Sequence, residues 1–405
     1  MKNTLIIYHA YCTDGLAAAV SHRLTYERRQ PLNPNDPGPE SALDAFDYLA
    51  MSHKRLEEED KFFENVDGYK DVWFLDFCPT EPLLRKMLDN GQNVTILDHH
   101  KSSYEMIREK FAEVNNQLRV IFSIDNKLSG ATLTWLIGLS GFSANLNTKL
   151  REVTIHDHKF LTNVNIGFIK EDTLNFKDPL YNLIGIRDIW DESNPAMKQK
   201  ADALHAYFDY KGLRDFDKFY QFVKREEFVF HGSSIIDIGE TILAINKRNC
   251  EDALKDAHQS TIETKEGPIE FCIGLAPSGQ GSQFGQSWSE LHPGKKTIAI
   301  AIFMNFDKAT VTLGFRSRNI DALRLVETFP GGGGHPNACG CRITNHHIVL
   351  PFEPNSEDGY VNTHTMRTPA EFIQGLCVMM QRRIEKVYGK VIHGTDSKFV
   401  PMDID

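Results

Sequence analysis

Three short apolar runs, Thr4–Tyr8, Asp71–Phe77 and Asn93–Asp98, restrict this chain more than any other feature. Each is rich in branched or aromatic residues and bounded by polar loops, the pattern of strands buried on both faces. Helical patterns alternate with them. Leu16–Tyr26 is one helix, and "PTEPLLRKMLDNG" is another, with Pro near its start and Gly at its end. "SGATLTWLIGL", Ser129–Leu139, begins on a plausible cap and continues as an apolar helix. Strand, helix, strand in that order requires crossover connections and predicts a parallel sheet of the α/β class.

A chain of 405 residues exceeds what one core usually organises, so two domains are expected. The first, the parallel-sheet domain, spans 1–197. It carries an insertion at about 30–65, which opens with four prolines in "PLNPNDPGP" and reads as an irregular surface excursion. From 198 to 260 the pattern turns helical, through "ADALHAYFDY", "FDKFYQFVKREEFVF" and "GETILAINKRNCEDALKDAHQ", as a connector. Strand-like runs return in "GPIEFCIGLA", "KKTIAIAIFMNF" and "KATVTLGFRS", followed by the helical pattern "IDALRLVETF". These define a smaller α/β domain over 261–395, with a tail at 396–405.

The formal charge of −10 opposes non-specific binding to a long polyanion, so a nucleic-acid substrate would be short. Only Lys2 precedes a four-residue apolar run at the N-terminus, too little for a signal or a membrane span. A cytoplasmic location without membrane attachment is the expectation. Seven cysteines do not make a disulfide framework. Cys339 and Cys341 lack the spacing and second pair of a zinc site and read as small packed residues.

Four apolar segments end in carboxylates or imidazoles. The first delivers His9 and Asp14, the second Asp76, the third Asp98, His99 and His100, and "LIGIRDIWD" delivers Asp188. Parallel strands align their C-terminal ends on one sheet edge, so groups far apart in sequence can converge there. Carboxylates packed together repel unless a cation neutralises them. An oxygen-rich set with neutral imidazole suits Mn²⁺, with Mg²⁺ the alternative, and one or two such ions suit phosphoester hydrolysis. A rival cluster, His156, Asp157 and His158 in "TIHDHKF", lies in a polar stretch and reads as solvated.

These residues carry a resemblance. "YHAYCTDGLAAA", "VWFLDF", "TILDHH" and "GIRDIWD" resemble, in order, the metal-site motifs of the DHH phosphoesterases. "GGGGHPNACG" is similar to the glycine-rich signature of the associated DHHA1 domain. The match runs from Leu5 to about Ile343. It implies that His9, Asp14, Asp76, His99 and Asp188 are ligands of divalent cations, usually Mn²⁺, with Asp76 bridging. It also implies that His100 faces the scissile phosphate and that Asp98 orients the imidazoles beside it. Where that family has a first carboxylate this chain has Cys12, a ligand only if its thiol deprotonates beside the metal.

In the second domain the resemblance implies that Arg316, Gly332, Gly333, Gly334 and His335 hold the substrate, with Arg318 beside them. A phosphodiesterase of short oligonucleotides or of cyclic or linear dinucleotides, working through a metal-activated water in a cleft between domains, is the reading that follows. The alternatives are a phosphomonoesterase acting on a small nucleotide phosphate and a nucleotide-binding regulatory protein with weakened turnover. Homodimerisation is left open.

Overall fold

The computed structural model describes residues 3–10, 12–29, 46–51, 66–113, 116–125, 127–140, 146–167, 169, 178–189, 191, 193–277, 279–305, 310–329, 332–344 and 369–389. The proline-rich start of the expected insertion and the tail at 396–405 lie outside them. The chain forms two compact units, Met1–Leu243 and Ala244–Asp405.

The first unit holds β1 (Thr4–His9), α1 (Thr13–Arg29), β2 (Phe46–Met51), β3 (Asp71–Leu75), α2 (Glu81–Asp89), β4 (Asn93–Asp98) and α3 (Lys101–Lys110). These are followed by β5 (Leu118–Ser123), α4 (Gly130–Ser140), β6 (Leu146–Ile155), β7 (His158–Val164), α5 (Pro179–Asp188), α6 (Pro195–Lys211), α7 (Phe216–Lys224) and the first part of α8 (Glu227–Lys255). Sheet order is β2-β1-β3-β4-β5-β7-β6. The strands from β2 to β5 run parallel, while β6 and β7 are an antiparallel hairpin added at the far edge.

Alternation along the central strands buries both faces of this sheet. Ile6, Tyr8, Leu75, Leu97 and Ile121 pack with Leu16 and Val20 of α1 and Leu133 and Leu136 of α4. Leu5, Ile7, Val72, Phe74, Val94 and Ile96 pack on the other side with Leu83, Leu84 and Met87 of α2 and Ile107 of α3. Thr80 caps α2 by accepting from the Leu83 N–H at 3.4 Å, and Gly91 closes it in the left-handed region at φ +80°.

Two expectations need correction, and one segment of open type is resolved. Phe46–Met51, expected inside a surface excursion, is the edge strand β2, in parallel register with β1 from Thr4↔Phe46 to His9↔Met51. The apolar segment ending at Asp188 is a helix, α5, capped by Asp178 and started by Pro179. "IDALRLVETF" yields only a one-turn helix, Leu323–Val326.

Residues of the expected connector pack into the first unit's own core: Leu204 and Phe208 of α6 and Phe219 and Phe222 of α7 belong to the cluster that includes β1 and α1. α8 is irregular at His231 and leaves Val229, Phe230 and Ile238 exposed. Among the described residues it is the one helix long and apolar enough to cross a membrane.

The second unit contains the end of α8, β8 (His258–Ile262), β9 (Ile269–Leu275), α9 (Gly281–Leu291), β10 (Lys296–Asn305), β11 (Thr310–Arg318), α10 (Leu323–Val326), β12 (Gly333–His335), β13 (Ala338–Thr344) and α11 (Pro369–Tyr388). Its sheet runs β12-β13-β11-β10-β9-β8, with only β9 and β10 parallel. Cys339 and Cys341 are buried in its core on β13, as small packed residues do.

Candidate metal centre

The first sheet changes winding direction between β1 and β3: β2 lies on one side of β1, and β3, β4 and β5 follow on the other. Open α/β sheets bind ligands beyond the strand ends at such a switch point. His9 ends β1, Asp76 follows β3, and Asp98 ends β4 with His99 and His100 after it. Asp14 enters from the first turn of α1 and Asp188 from the last residue of α5.

Two glycines allow the close approach. A Cβ at Gly15 would lie 2.6 Å from the His9 carbonyl oxygen, and one at Gly130 would lie 2.4 Å from the Asp76 Cβ. Asp76 itself has φ +56°, a left-handed backbone that Asp tolerates better than most residues. Its N–H donates to the Leu97 carbonyl at 2.8 Å, which ties the strained residue to β4.

Potential ligand atoms gather in three groups, each within a span of 4.8 Å: Asp14, Asp76, His99 and Asp188; His9, Cys12 and Asp76; and Asp76, Asp98, His99 and His100. Asp76 belongs to all three. His99 Nε2 stands 3.1 Å from Asp76 Oδ1 and 3.2 Å from Asp188 Oδ2, and His9 Nδ1 lies 3.7 Å from Asp76 Oδ2. Cys12 Sγ donates to Asp188 Oδ1 at 3.7 Å.

Asp98 does a different task. Its Oδ1 accepts from the His99 N–H at 2.7 Å, from the His100 N–H at 3.2 Å and from His100 Nδ1 at 2.7 Å. It therefore fixes both the turn after β4 and the His100 ring. The His9 ring is stacked on Phe77 at 5.7 Å and meets His100 edge-on at 6.1 Å.

Charge balance in the cluster calls for a cation. Burial, then the charges of Asp188 and Asp76, push the Asp14 carboxyl far above the usual range. Burial would raise Asp76 too, but the His9 ring 3.7 Å away and the hydrogen bond with His99 outweigh it and hold it below the usual range. Burial opposes charge on His99, yet its bonds to Asp188 and Asp76 push it up to about 12. A proton on His99 thus supplies positive charge that a divalent ion could supply instead, since metal binding displaces ligand protons.

Asp14 Oδ1, Asp76 Oδ2 and Asp98 Oδ2 are buried and have no hydrogen-bond partner among the described residues. Orphaned buried carboxylate oxygens are costly unless something coordinates them. Oxygen and imidazole donors of this kind fit a hard divalent cation such as Mn²⁺ or Mg²⁺. Cys12 is the one soft donor. Burial and the charges of Asp76 and Asp188 keep its thiol protonated in the chain alone.

The rival cluster goes elsewhere. His156 and Asp157 form the turn of the β6–β7 hairpin, both at positive φ and both exposed, and appear in none of the ligand groups. In the second unit, Arg316, Ala338 and His335 stand in one register row across β11, β13 and β12, and Gly314, Gly340 and Gly333 in another. Arg316 donates to Ser282 Oγ at 3.2 and 2.9 Å, and Arg318 is exposed at the end of β11. Gly334 has φ +135°, and a Cβ there would lie 2.6 Å from the Cys339 Cα. Gly332 is held as tightly, its position for a Cβ 2.0 Å from the Val326 carbonyl oxygen. The described part of the glycine run is therefore a packed hairpin strand, not an open loop.

Several residues of the first unit's site were not singled out from sequence. Gly15 and Gly130 carried a signal, each next to a motif residue or a helix start. Ala131, whose N–H donates to Asp14 Oδ2 at 3.1 Å, carried none. Thr13, Arg187, His205 and Arg214 line a cavity of about 250 Å³ together with Cys12, Asp14 and Asp188.

Fold and site together define an α/β protein with an acid–imidazole cluster at the switch point of a 2-1-3-4-5 parallel sheet. No protein-family model and no curated protein matches the sequence. Among solved structures the chain is similar to one described as a member of the s1p family of ribosomal proteins, DHH domain. Identity is 12%, the TM-score is 0.43, and 84% of this chain and 82% of that one are covered, a likeness too distant to assign a family.

Proposed function

We propose that this protein is a metal-dependent phosphodiesterase of short oligonucleotides or of cyclic or linear dinucleotides. The observation that carries the reading is Asp76: one buried carboxylate shared by three ligand groups, with imidazoles and further carboxylates converging on it. His9, Asp14, Asp76, His99 and Asp188 would hold the ions, Mn²⁺ or Mg²⁺, with Cys12 as a further donor. Such ions supply Lewis-acid charge stabilisation and an activated water for displacement at phosphorus.

The chain's own residues do the rest. Asp98 holds His100 at the edge of the cluster, half-exposed, where it can donate to a phosphate oxygen. In the second unit Arg316 and the backbone of the edge strand Gly333–His335 would bind a substrate anion, the Gly332 N–H being taken by the Phe329 carbonyl. The acidic balance of the chain disfavours long polyanions and leaves short substrates.

The test is hydrolysis of a dinucleotide, a cyclic dinucleotide, a long single strand and a mononucleotide, with Mn²⁺ and then with chelator. Native chain, Asp76→Asn and His99→Ala are compared. Cleavage of one short substrate that chelator stops and both variants lose is expected. Metal-independent cleavage, or full activity in Asp76→Asn, would overturn the reading. Cys12, in place of a carboxylate, favours one second reading, a nucleotide-binding protein with weakened turnover, which predicts binding without cleavage under every metal.

A further inference from the structure

The cavity beside the acid cluster has a second chemistry that the metal centre does not use. Asp14 and Asp188 line it, and so do Thr13, Arg187, His205 and Arg214. Arg214 Nη2 lies 3.1 Å from His205 Nε2, and His205 Nδ1 lies 3.2 Å from Thr13 Oγ1. A guanidinium only donates, so His205 Nε2 must accept. The imidazole proton is then on Nδ1, and that N–H donates to the Thr13 oxygen. The Thr13 hydroxyl hydrogen is left to donate elsewhere. Burial, then the nearby Arg187, lowers His205 to about 4, in keeping with a neutral ring.

Both guanidinium groups are anchored rather than consumed. Asp202 accepts from Arg187 Nη1, and Asp209 accepts from Arg214 Nε and Nη2. Lys198 Nζ also grips Asp202, at 2.8 and 2.7 Å. A guanidinium carries five N–H donors; these contacts leave four on Arg187 and, since Nη2 of Arg214 also donates to His205, the two on Nη1 of Arg214. A preoriented fork such as Arg187 keeps suits the oxygens of phosphate better than a point charge does, and Arg214, with its Nη1 donors, lines the same cavity. At about 250 Å³ the cavity is smaller than the roughly 300–1,000 Å³ of pockets that engulf drug-sized ligands. It fits a phosphate and the atoms next to it, not a whole nucleotide.

The geometry points to this cavity as the seat of a second, uncleaved phosphate of the substrate, held by Arg187, Arg214 and the Thr13 hydroxyl. The protein would then select short nucleotides that carry a phosphate beyond the one hydrolysed. This deepens the phosphodiesterase reading and rests on it for the identity of the substrate, but the seat itself is measurable without turnover. His205 is a positioning residue here: it links Arg214 to Thr13 and fixes which atoms donate.

Calorimetric titration of the full chain in Mg²⁺ with inorganic phosphate and inorganic pyrophosphate tests the seat directly. Native protein is expected to bind pyrophosphate more tightly. Arg187→Gln and Arg214→Gln, each checked for folding by circular dichroism and thermal unfolding, are expected to lose that preference by at least about tenfold, the low end for a hydrogen bond to a charged group. Thr13→Val, a smaller change, provides a further variant if either arginine substitution unfolds the chain. Pyrophosphate bound by all folded variants as tightly as by native protein would overturn the inference.

A kinetic arm compares a dinucleotide with and without an added terminal phosphate. The ratio of their kcat/KM values is expected to fall at least about tenfold in the arginine variants, through KM. An unchanged ratio would count against the seat. Absence of hydrolysis in every protein would sink the phosphodiesterase reading and leave the pyrophosphate result standing by itself.

Discussion

Asp14 shows at the scale of one residue what a metal site costs its chain. It is buried at the start of α1, and its charge is opposed by burial and by the neighbouring Asp188 and Asp76. Asn keeps an oxygen to accept from the Ala131 N–H and removes the charge. Asp14→Asn should therefore raise the thermal midpoint of the metal-free chain, by about 2–4 °C for each kcal/mol gained, while weakening divalent-metal binding by calorimetry. A lowered midpoint would show that the carboxylates are not in conflict. His22 gives a second residue-scale test, away from the cluster. It lies among Phe46, Tyr48 and Trp73, and burial lowers it to about 4. The unfolded chain binds this proton near pH 6.5 and the folded chain only near 4, so stability is full above 6.5 and falls as pH drops through that window. The contribution is on the order of 3 kcal/mol. Denaturant unfolding of His22→Phe between pH 7 and 4 should show a shallower loss than native protein.

Elements explain which parts of the site could be read in advance. The ends of β1, β3 and β4 were legible because each strand is a short branched apolar run and the functional residue follows at once. Asp188 was placed on a fourth apolar segment of undetermined type, since a short apolar run does not separate strand from buried helix. The Asp178–Pro179 pair that starts α5 was the available signal. β2 was hidden by the prolines before it. Its alternation, with Phe46, Tyr48 and Ala50 packed against the cluster that contains α1, is visible only beside β1. Helix packing also sets the tolerance of single positions. Gly130→Ala would drive a Cβ into Asp76 and should cost at least about 1–3 kcal/mol, read by denaturant unfolding. Gly68→Ala, where a Cβ meets nothing within 4 Å, is the control. On α8, Phe230 is 70% exposed, so Phe230→Ser should change stability by no more than about 0.5 kcal/mol. A larger loss in the same assay would mean that this face is covered in solution.

The molecule as a whole repeats the division seen at its parts. Motif residues close in sequence to strand ends were found from sequence, whereas the link from Thr13 through His205 to Arg214 joins positions 192 and 9 residues apart and carries no local pattern. Long-range polar contacts of that kind depend on packing, and only the folded chain shows them. The same packing sorts the thiols. Cys78, Cys250, Cys272, Cys339, Cys341 and Cys377 are buried, and Cys12 is the one of the seven that is partly exposed, at the cavity next to the metal centre. The native chain therefore offers a single attachment point for a covalent reporter. Because its thiol is held protonated, Cys12 should react slowly, so prolonged treatment with a small maleimide at alkaline pH should modify one thiol per folded chain, none in Cys12→Ser, and seven after denaturation, counted by mass spectrometry. Divalent metal or pyrophosphate in the site should slow this reaction, so its rate reports occupancy without any engineered cysteine.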